Sequence, residues 1–252
     1  MRVPAATARR LRGAAHVAVF TGAGVSAESG IPTFRDRLTG LWSRFDAQSL
    51  ATPEAFARDP ALVWGWYEWR RARVLAAEPN AAHRAIAQMA ALAPRLTLIT
   101  QNVDDLHERA GSPEVLHLHG RIGAPYCSRC GRECALGPPP PEAAAGARLE
   151  PPRCPACGGR VRPGVVWFGE SLPAAAWERA AAAARSCEAF LCVGTSSLVE
   201  PAAGLTRAAI AAGALTVQVN IESTPLDGLV SMNLRGPAAS VLPDLVAGWG
   251  TN

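Results

Sequence analysis

The sequence contains no lysine: all 25 of its positive charges are arginine. Read on its own, that absence reflects a coding bias toward arginine and alanine. A dense basic run is missing as well. With a net charge of only +4, nothing favours nucleic acid, and no such partner is expected. No stretch approaches the roughly 20 consecutive apolar residues that a membrane span needs, so no membrane partner is expected either. Residues 1–12 are basic but lack the apolar core, about 7–15 residues long, of a signal peptide. The protein is therefore expected to be soluble and cytoplasmic, with a monomer as the favoured state. Internal repeats are absent. What remains is a globular composition, 49 % hydrophobic and 18 % charged, in a chain of 252 residues that can bury a core without staples.

Residues 16–20, 96–100, 189–193 and 215–219 read as short buried strands, and residues 116–119 as a short segment ending at Gly120. Between them lie helix-compatible stretches at 53–78, 174–185 and 202–212. Strands alternating with helices imply an α/β fold with a parallel sheet covered on both faces. Residues 127–162 differ in character: Pro138, Pro139, Pro140 and Pro141 stand in a row, glycines are frequent and long apolar runs are few. Such a stretch cannot build its own core and needs another organiser.

Cysteine spacing supplies one. Cys127-x-x-Cys130 and Cys154-x-x-Cys157 form two knuckles whose four thiolates suit one tetrahedral Zn2+, with no position left for water, so the site is structural. Cys134 suits neither pair by spacing, and Cys187 and Cys192 sit in or beside apolar segments as core residues. Gly22, Gly24 and Ala27 fit G-x-G-x-x-A directly after a strand, the setting in which a backbone turn and a helix N-terminus receive a dinucleotide pyrophosphate. The acidic ribose ligand of a hydride-transfer enzyme, due about 20 residues on, is missing. In its place runs a loop with Pro32 and Arg35.

The run from Gly22 to Arg35, GAGVSAESGIPTFR, resembles the sirtuin cofactor loop over its whole length. Gln101, Asn102 and Asp104 with Leu106 and His107, then His119 before Gly120, the paired knuckles, and Gly194, Thr195 and Ser196 recur in that family's order, from about residue 16 to 245. The resemblance implies a Rossmann-type NAD-binding large domain (1–44, 95–122 and 163–252) and a small domain (45–94 and 123–162) that carries a helical acyl-pocket segment and the zinc module. NAD and an acylated-lysine protein are expected to meet between them. Around NAD it places Gly22, Ala23, Gly24, Ala27, Glu28, Phe34, Arg35 and Trp42. Gln101, Asn102 and Asp104 line the nicotinamide pocket. Gly194, Thr195 and Ser196 contact phosphate and ribose, Asn220 and Glu222 hold the adenosine ribose, and Ala238 gives a backbone contact to adenine.

His119 is the implied general base. In the family's reaction the acyl oxygen attacks the ribose carbon as nicotinamide leaves, and the histidine deprotonates a ribose hydroxyl. The products are free lysine and 2′-O-acyl-ADP-ribose. Histidine suits this role because its ordinary pKa lies near working pH. His117 shares a strand face with it but does not precede the glycine.

Tyr67 and Arg70, three apart on a helix, can converge on one spot, although that spacing alone fits a surface or packing role better. In the family's Tyr-x-x-Arg branch this pair receives the carboxylate of a succinyl or malonyl group, and Ala51 matches the small residue that admits a longer acyl chain. A guanidinium grips a carboxylate with two charge-assisted hydrogen bonds, a mode closed to acetyl. Val166, Trp167, Phe168, Gly169 and Glu170 resemble the loop that pairs with the extended substrate peptide. Rival readings are a deacetylase-dominant sirtuin, a protein ADP-ribosyltransferase, a non-catalytic NAD sensor, and a zinc-ribbon nucleic-acid binder. The last two leave His119 without a use.

Overall fold

A computed structural model of the chain describes residues 5–33, 46–144 and 147–249. Helix α1 (Ala5–Arg12) leads into β1 (Val17–Thr21), an apolar run buried at every position, and Gly22 turns the chain into the short α2 (Gly24–Ala27). Next come α3 (Ala47–Leu50), α4 (Pro53–Arg58) and the long α5 (Pro60–Ala76). The pattern over 53–78 reads as one helical stretch, and the structure divides it at Asp59. Pro60 has no N–H to continue the preceding helix, while Asp59 Oδ1 accepts from Leu62 N at 3.1 Å and caps a new one.

Helix α6 (Ala81–Leu92) is capped reciprocally by Asn80 and His83. Then follow β2 (Leu96–Thr100), α7 (Leu106–Arg109), β3 (Val115–His117), β4 (Tyr126–Cys127), α8 (Pro141–Ala144) and β5 (Val161–Arg162). The chain closes with α9 (Ala174–Ser186), β6 (Ala189–Val193), α10 (Gly204–Ala211), β7 (Leu215–Asn220), β8 (Met232–Arg235) and α11 (Ala238–Ala247).

Six strands form one parallel sheet in the order β3-β2-β1-β6-β7-β8. One face packs on α6 and α11 through Val17, Val19, Ile86, Leu191, Val217 and Leu245, and the other on α9 and α10 through Phe20, Ile99, Phe190 and Leu205. This is the α/β, Rossmann-type arrangement that the alternating pattern implies. The chain builds outward in one direction from β1 and in the other from β6, so the strand order switches between them. Ligands of open parallel sheets bind at the carboxyl ends of strands beside such a switch. The register brings those ends level: Thr21 lies opposite Thr100 and Val193, and Thr100 opposite His117.

After His119 the chain leaves the sheet and returns at Val165. An antiparallel bridge pairs Gly120 with Val165, and Arg121 N donates to Gly164 O at 2.8 Å, pinching the neck of the excursion. Within it β4 and β5 form their own small antiparallel ladder. No helix among the described residues is long and apolar enough to cross a membrane.

The middle of helix α5 is enclosed on all sides. Residues 63–71 are buried without interruption, Glu68, Arg70 and Arg71 among them. A segment just before the second cysteine knuckle crosses it so closely that a Cβ on Gly65 would lie 2.3 Å from Ala147 O. Glu68 and Arg71 neutralise each other through two hydrogen bonds of 2.8 Å, which is what makes burial of both charges tolerable.

Candidate functional site

The glycine turn after β1 and the turn after β6 cross at the switch. A Cβ on Gly22 would lie 2.7 Å from the Thr195 Cβ, one on Gly24 2.8 Å from the Gly194 Cα, and Gly194 itself has φ of +60°. These glycines are therefore needed to bring two loops together, and the cradle they form exposes backbone at the strand ends. Around it Gln101 Nε2 donates to Thr195 Oγ1 at 2.8 Å, Asn102 Nδ2 to Ser26 Oγ at 2.9 Å, and Asn220 Nδ2 to Thr195 O at 2.7 Å. Asp104 is buried beside them, and burial pushes its carboxyl above the usual range. Ala23 lies in the same turn and Ser196 follows Thr195, while Ala27 and Glu222 are exposed at the rim. The Glu28 carboxylate accepts from Ala239 N at 2.8 Å and so caps α11, which places it beside Ala238. Phe34, Arg35 and Trp42 lie outside the described residues.

Two histidines leave β3 toward this cradle, and their partners separate them chemically. His117 sets Nδ1 against Asn102 O at 3.2 Å and Nε2 against Glu108 Oε1 at 2.7 Å. Both ring nitrogens are thus engaged by protein oxygens, and neither is left to face a substrate. His119 sets Nδ1 against Gln101 O at 3.0 Å. A carbonyl only accepts, so the proton of the neutral ring sits on Nδ1 and the Nε2 lone pair is left for chemistry. Burial lowers the His119 pKa, opposed by the bond to Gln101, and the ring stays neutral at working pH.

The loop after the neck joins this strand to the enclosed helix. Val166 N donates to His119 O at 2.9 Å, and Phe168 N donates to Ala51 O at 2.9 Å. The Trp167 Nε1–H donates to the Tyr67 hydroxyl at 3.0 Å. Tyr67 and Arg70 are buried side by side on α5, and the Arg70 guanidinium carbon lies 5.3 Å from the Trp66 ring centre. Burial pushes the Tyr67 phenol up and the Arg70 guanidinium down, so Tyr67 is protonated. Ala51, Tyr67, Arg70 and residues 166–170, separate in sequence, thus meet at one wall. Glu170 departs from a simple contact role, because its carboxylate is engaged by Arg162 at 2.6 and 2.8 Å and by Trp167 N at 2.8 Å.

The Sγ atoms of Cys127, Cys130, Cys154 and Cys157 lie within 4.8 Å of one another, with Cys127 and Cys157 at 3.5 Å and Cys130 and Cys154 at 3.8 Å. Tetrahedral zinc with bonds of about 2.3 Å needs sulfurs about 3.8 Å apart, so this donor set fits one structural Zn2+. Backbone N–H groups, that of Cys130 foremost, hold the Cys127 thiol down at about 6, which favours the ligating thiolate. Cys134 stands outside the cluster, its Sγ donating to Arg132 O at 3.4 Å.

The Sir2 family model matches residues 22–201. The chain belongs to the Sir2 family. It is similar to an NAD-dependent protein deacylase of Methylococcus capsulatus, 61 % identical over 237 residues that cover 94 % of this chain and 93 % of the relative. An NAD-dependent protein deacylase 1 of Pseudomonas aeruginosa is 57 % identical over 239 residues, covering 94 % and 95 %. Among solved structures, a Sir2 homolog–NAD complex superposes with a TM-score of 0.88 at 41 % identity, covering 96 % of this chain and 92 % of that one. NAD-dependent chemistry and a four-cysteine zinc module accord with the cradle and cluster described above.

Some residues of this Sir2 site are given no role by the motifs that contain or flank them. Ser26, which accepts from Asn102, lies inside the glycine run at one of its variable places. Glu108, which engages His117, directly follows His107 but is not itself part of that motif. Arg162 is one arginine among 25, and only the fold brings it to Trp167, with its guanidinium carbon 3.5 Å from the ring centre.

Proposed function

We propose that this Sir2-family enzyme, an NAD-dependent protein deacylase, acts on lysines bearing acidic acyl groups, succinyl and malonyl foremost and acetyl as well. The observation that carries the reading is the wall formed by Tyr67 and Arg70: a buried phenol and a buried guanidinium on one face of α5, beside Trp167 and Ala51. An acyl chain ending in a carboxylate gains a charge-assisted, two-pronged partner there, and acetyl offers none. Such a pairing favours the acidic substrate by about 1–3 kcal/mol, roughly ten- to a few hundred-fold.

His119 is the general base in this reading. The carbonyl of Gln101 at Nδ1 holds the ring in the tautomer that leaves the Nε2 lone pair for the reaction. Bound in the cradle, NAD would supply an electrophilic ribose carbon and a nicotinamide leaving group. Gly22, Ala23, Gly24, Gly194, Thr195 and Ser196 would hold its phosphates and nearer ribose. Gln101, Asn102 and Asp104 would surround the nicotinamide, and Asn220, Glu222 and Ala238 the adenosine. For the substrate chain, the amides of Val166, Trp167, Phe168 and Glu170 are already engaged, while no described residue donates to the carbonyls of Val166 and Phe168. Those carbonyls are the natural acceptors for an added peptide strand.

The test is kcat/KM with NAD on one peptide carrying acetyl-, malonyl- or succinyl-lysine. The expected order places both acidic groups at least tenfold above acetyl. Acetyl equal to or above succinyl would leave a deacetylase-dominant Sir2 enzyme and remove the acidic preference.

A further inference from the structure

We propose that Arg162 is a positioning residue for acyl selectivity: it clamps the Trp167 indole so that the Tyr67 hydroxyl presents its proton to the acyl group. The inference rests on the acyl-wall reading above and assigns to that wall a residue that lies outside it.

Arg162 stands on β5, directly across the ladder from Tyr126, and its neighbour Val161 pairs with Cys127. Its side chain is 9 % exposed and runs out of the cysteine module toward the acyl wall. Both terminal nitrogens of the guanidinium are used, while its buried Nε has no hydrogen-bond partner among the described residues. Two nitrogens engage the Glu170 carboxylate at 2.6 and 2.8 Å, and one of them also donates to Val165 O at 3.1 Å. The flat face covers the Trp167 ring at 3.5 Å, with the Tyr126 ring centre 5.0 Å from the same carbon. Glu170 in turn accepts from Trp167 N at 2.8 Å. The indole is thereby fixed by its face through Arg162 and by its backbone through Glu170.

The chemical consequence lies at the indole nitrogen. A Trp N–H can only donate, so the Tyr67 oxygen, 3.0 Å away, must accept from it. The phenol keeps one proton, and that proton is directed to another acceptor. Trp167 therefore sets the polarity of Tyr67 as a donor, which suits a carboxylate or acyl oxygen. Lysine at position 162 would keep the charge but lack both the planar stack and the two-pronged grip.

The experiment is a double-mutant cycle of Arg162→Met and Tyr67→Phe, read as kcat and KM on matched succinyl and acetyl peptides, with zinc content and the KM for NAD measured on each variant. Arg162→Met is expected to lower succinyl kcat/KM about tenfold, the scale of one hydrogen bond, mainly through peptide KM. Acetyl kcat/KM and the KM for NAD should stay within about twofold. On the Tyr67→Phe background the same change should add almost nothing. Arg162→Lys should reproduce the selectivity loss with full zinc content, and it serves as the deciding variant if Arg162→Met fails to retain metal. Equal loss on both acyl groups, or undiminished loss on the Tyr67→Phe background, overturns the proposal. If the wild-type enzyme shows no acidic preference, the acyl-wall reading fails separately. The cycle is then read on whichever acyl group Tyr67→Phe affects, and additivity there, or no effect of Tyr67→Phe on either, still overturns the role of Arg162.

Discussion

The two halves of the site are built from different materials. The nucleotide half consists of strand ends, glycines and main-chain carbonyls, with polar side chains bonded mostly to one another or to the backbone. The half proposed to hold the acyl group is a helix whose middle, residues 63–71, is buried throughout, where aromatic rings, a paired Glu68 and Arg71 and the buried Arg70 fill what would otherwise be plain core. In the proposed reading, backbone architecture would recognise what all substrates of such an enzyme share, and side chains packed into a core would recognise what differs between them. The difference teaches where selectivity can change without loss of chemistry: on α5 and the loop that meets it.

The largest expected effect lies on the shared side. His119→Ala should reduce turnover about 10²–10⁴-fold, as loss of a general base does, and by the same factor on acetyl and succinyl peptides, with NAD binding retained. Calorimetric NAD titration beside kcat on both peptides checks this. A change in the acyl ratio would break the division between the halves, and so would an inactive His117→Ala beside an active His119→Ala. Arg70→Met is the counterpart. Succinyl kcat/KM should fall roughly ten- to a few hundred-fold while acetyl holds or rises, because the charge-assisted partner is removed from one substrate only. Parallel loss on both peptides would mean that α5 acts as packing alone.

The next effect tests how tightly the acyl half is enclosed. Gly65→Ala sets a methyl 2.3 Å from a backbone oxygen, so the crossing segment must shift. The expected cost is about 1–3 kcal/mol in unfolding free energy, read from urea denaturation, despite alanine's better helix propensity. Stability at or above wild type would show that the segment over α5 is free to yield.

The smallest expected effect belongs to the nucleotide half and depends on pH. Burial, with some help from Arg84, holds His83 down at about 4, and burial holds His107 well below its ordinary value. A histidine kept neutral in the fold binds its proton more readily when unfolded. Its contribution is therefore complete above about pH 6.5 and is lost as pH falls toward 4. Between pH 7 and 5 the His83 share amounts to about 2 kcal/mol by linkage. Urea midpoints at the two pH values should show it, and His83→Gln should flatten the dependence by that share.

Legibility followed the same division. Strands β1, β2, β6 and β7 were readable because unbroken apolar runs between turn residues have few other uses, and the glycine turn and cysteine pairs because their spacing is itself the chemistry. Helix α6 is alanine-rich, and alanine fits every periodicity. Strand β8, with Met232, Asn233 and Arg235 only half buried, presents no apolar run. On α5 total enclosure erases the contrast between faces on which amphipathic patterning depends. Tyr67 and Arg70 were found there only through family resemblance, and Arg162 not at all, because nothing in the spacing of Arg162, Trp167 and Glu170 marks the local turn that stacks the guanidinium on the indole.

The bridge between Gly120 and Val165 gives the molecule a seam. Chain that departs and re-enters at one hydrogen-bonded pair places almost no geometric demand on the sheet behind it, so its length can drift over generations at little entropic cost. For an engineer the seam is a point of exchange, where a metal-binding insert from a relative can be spliced in while the strands keep their register. On the role proposed for Arg162, such a graft must carry with it the arginine side chain that reaches back across the seam, since that contact, more than the bridge, would tie the insert to the enzyme's choice of substrate.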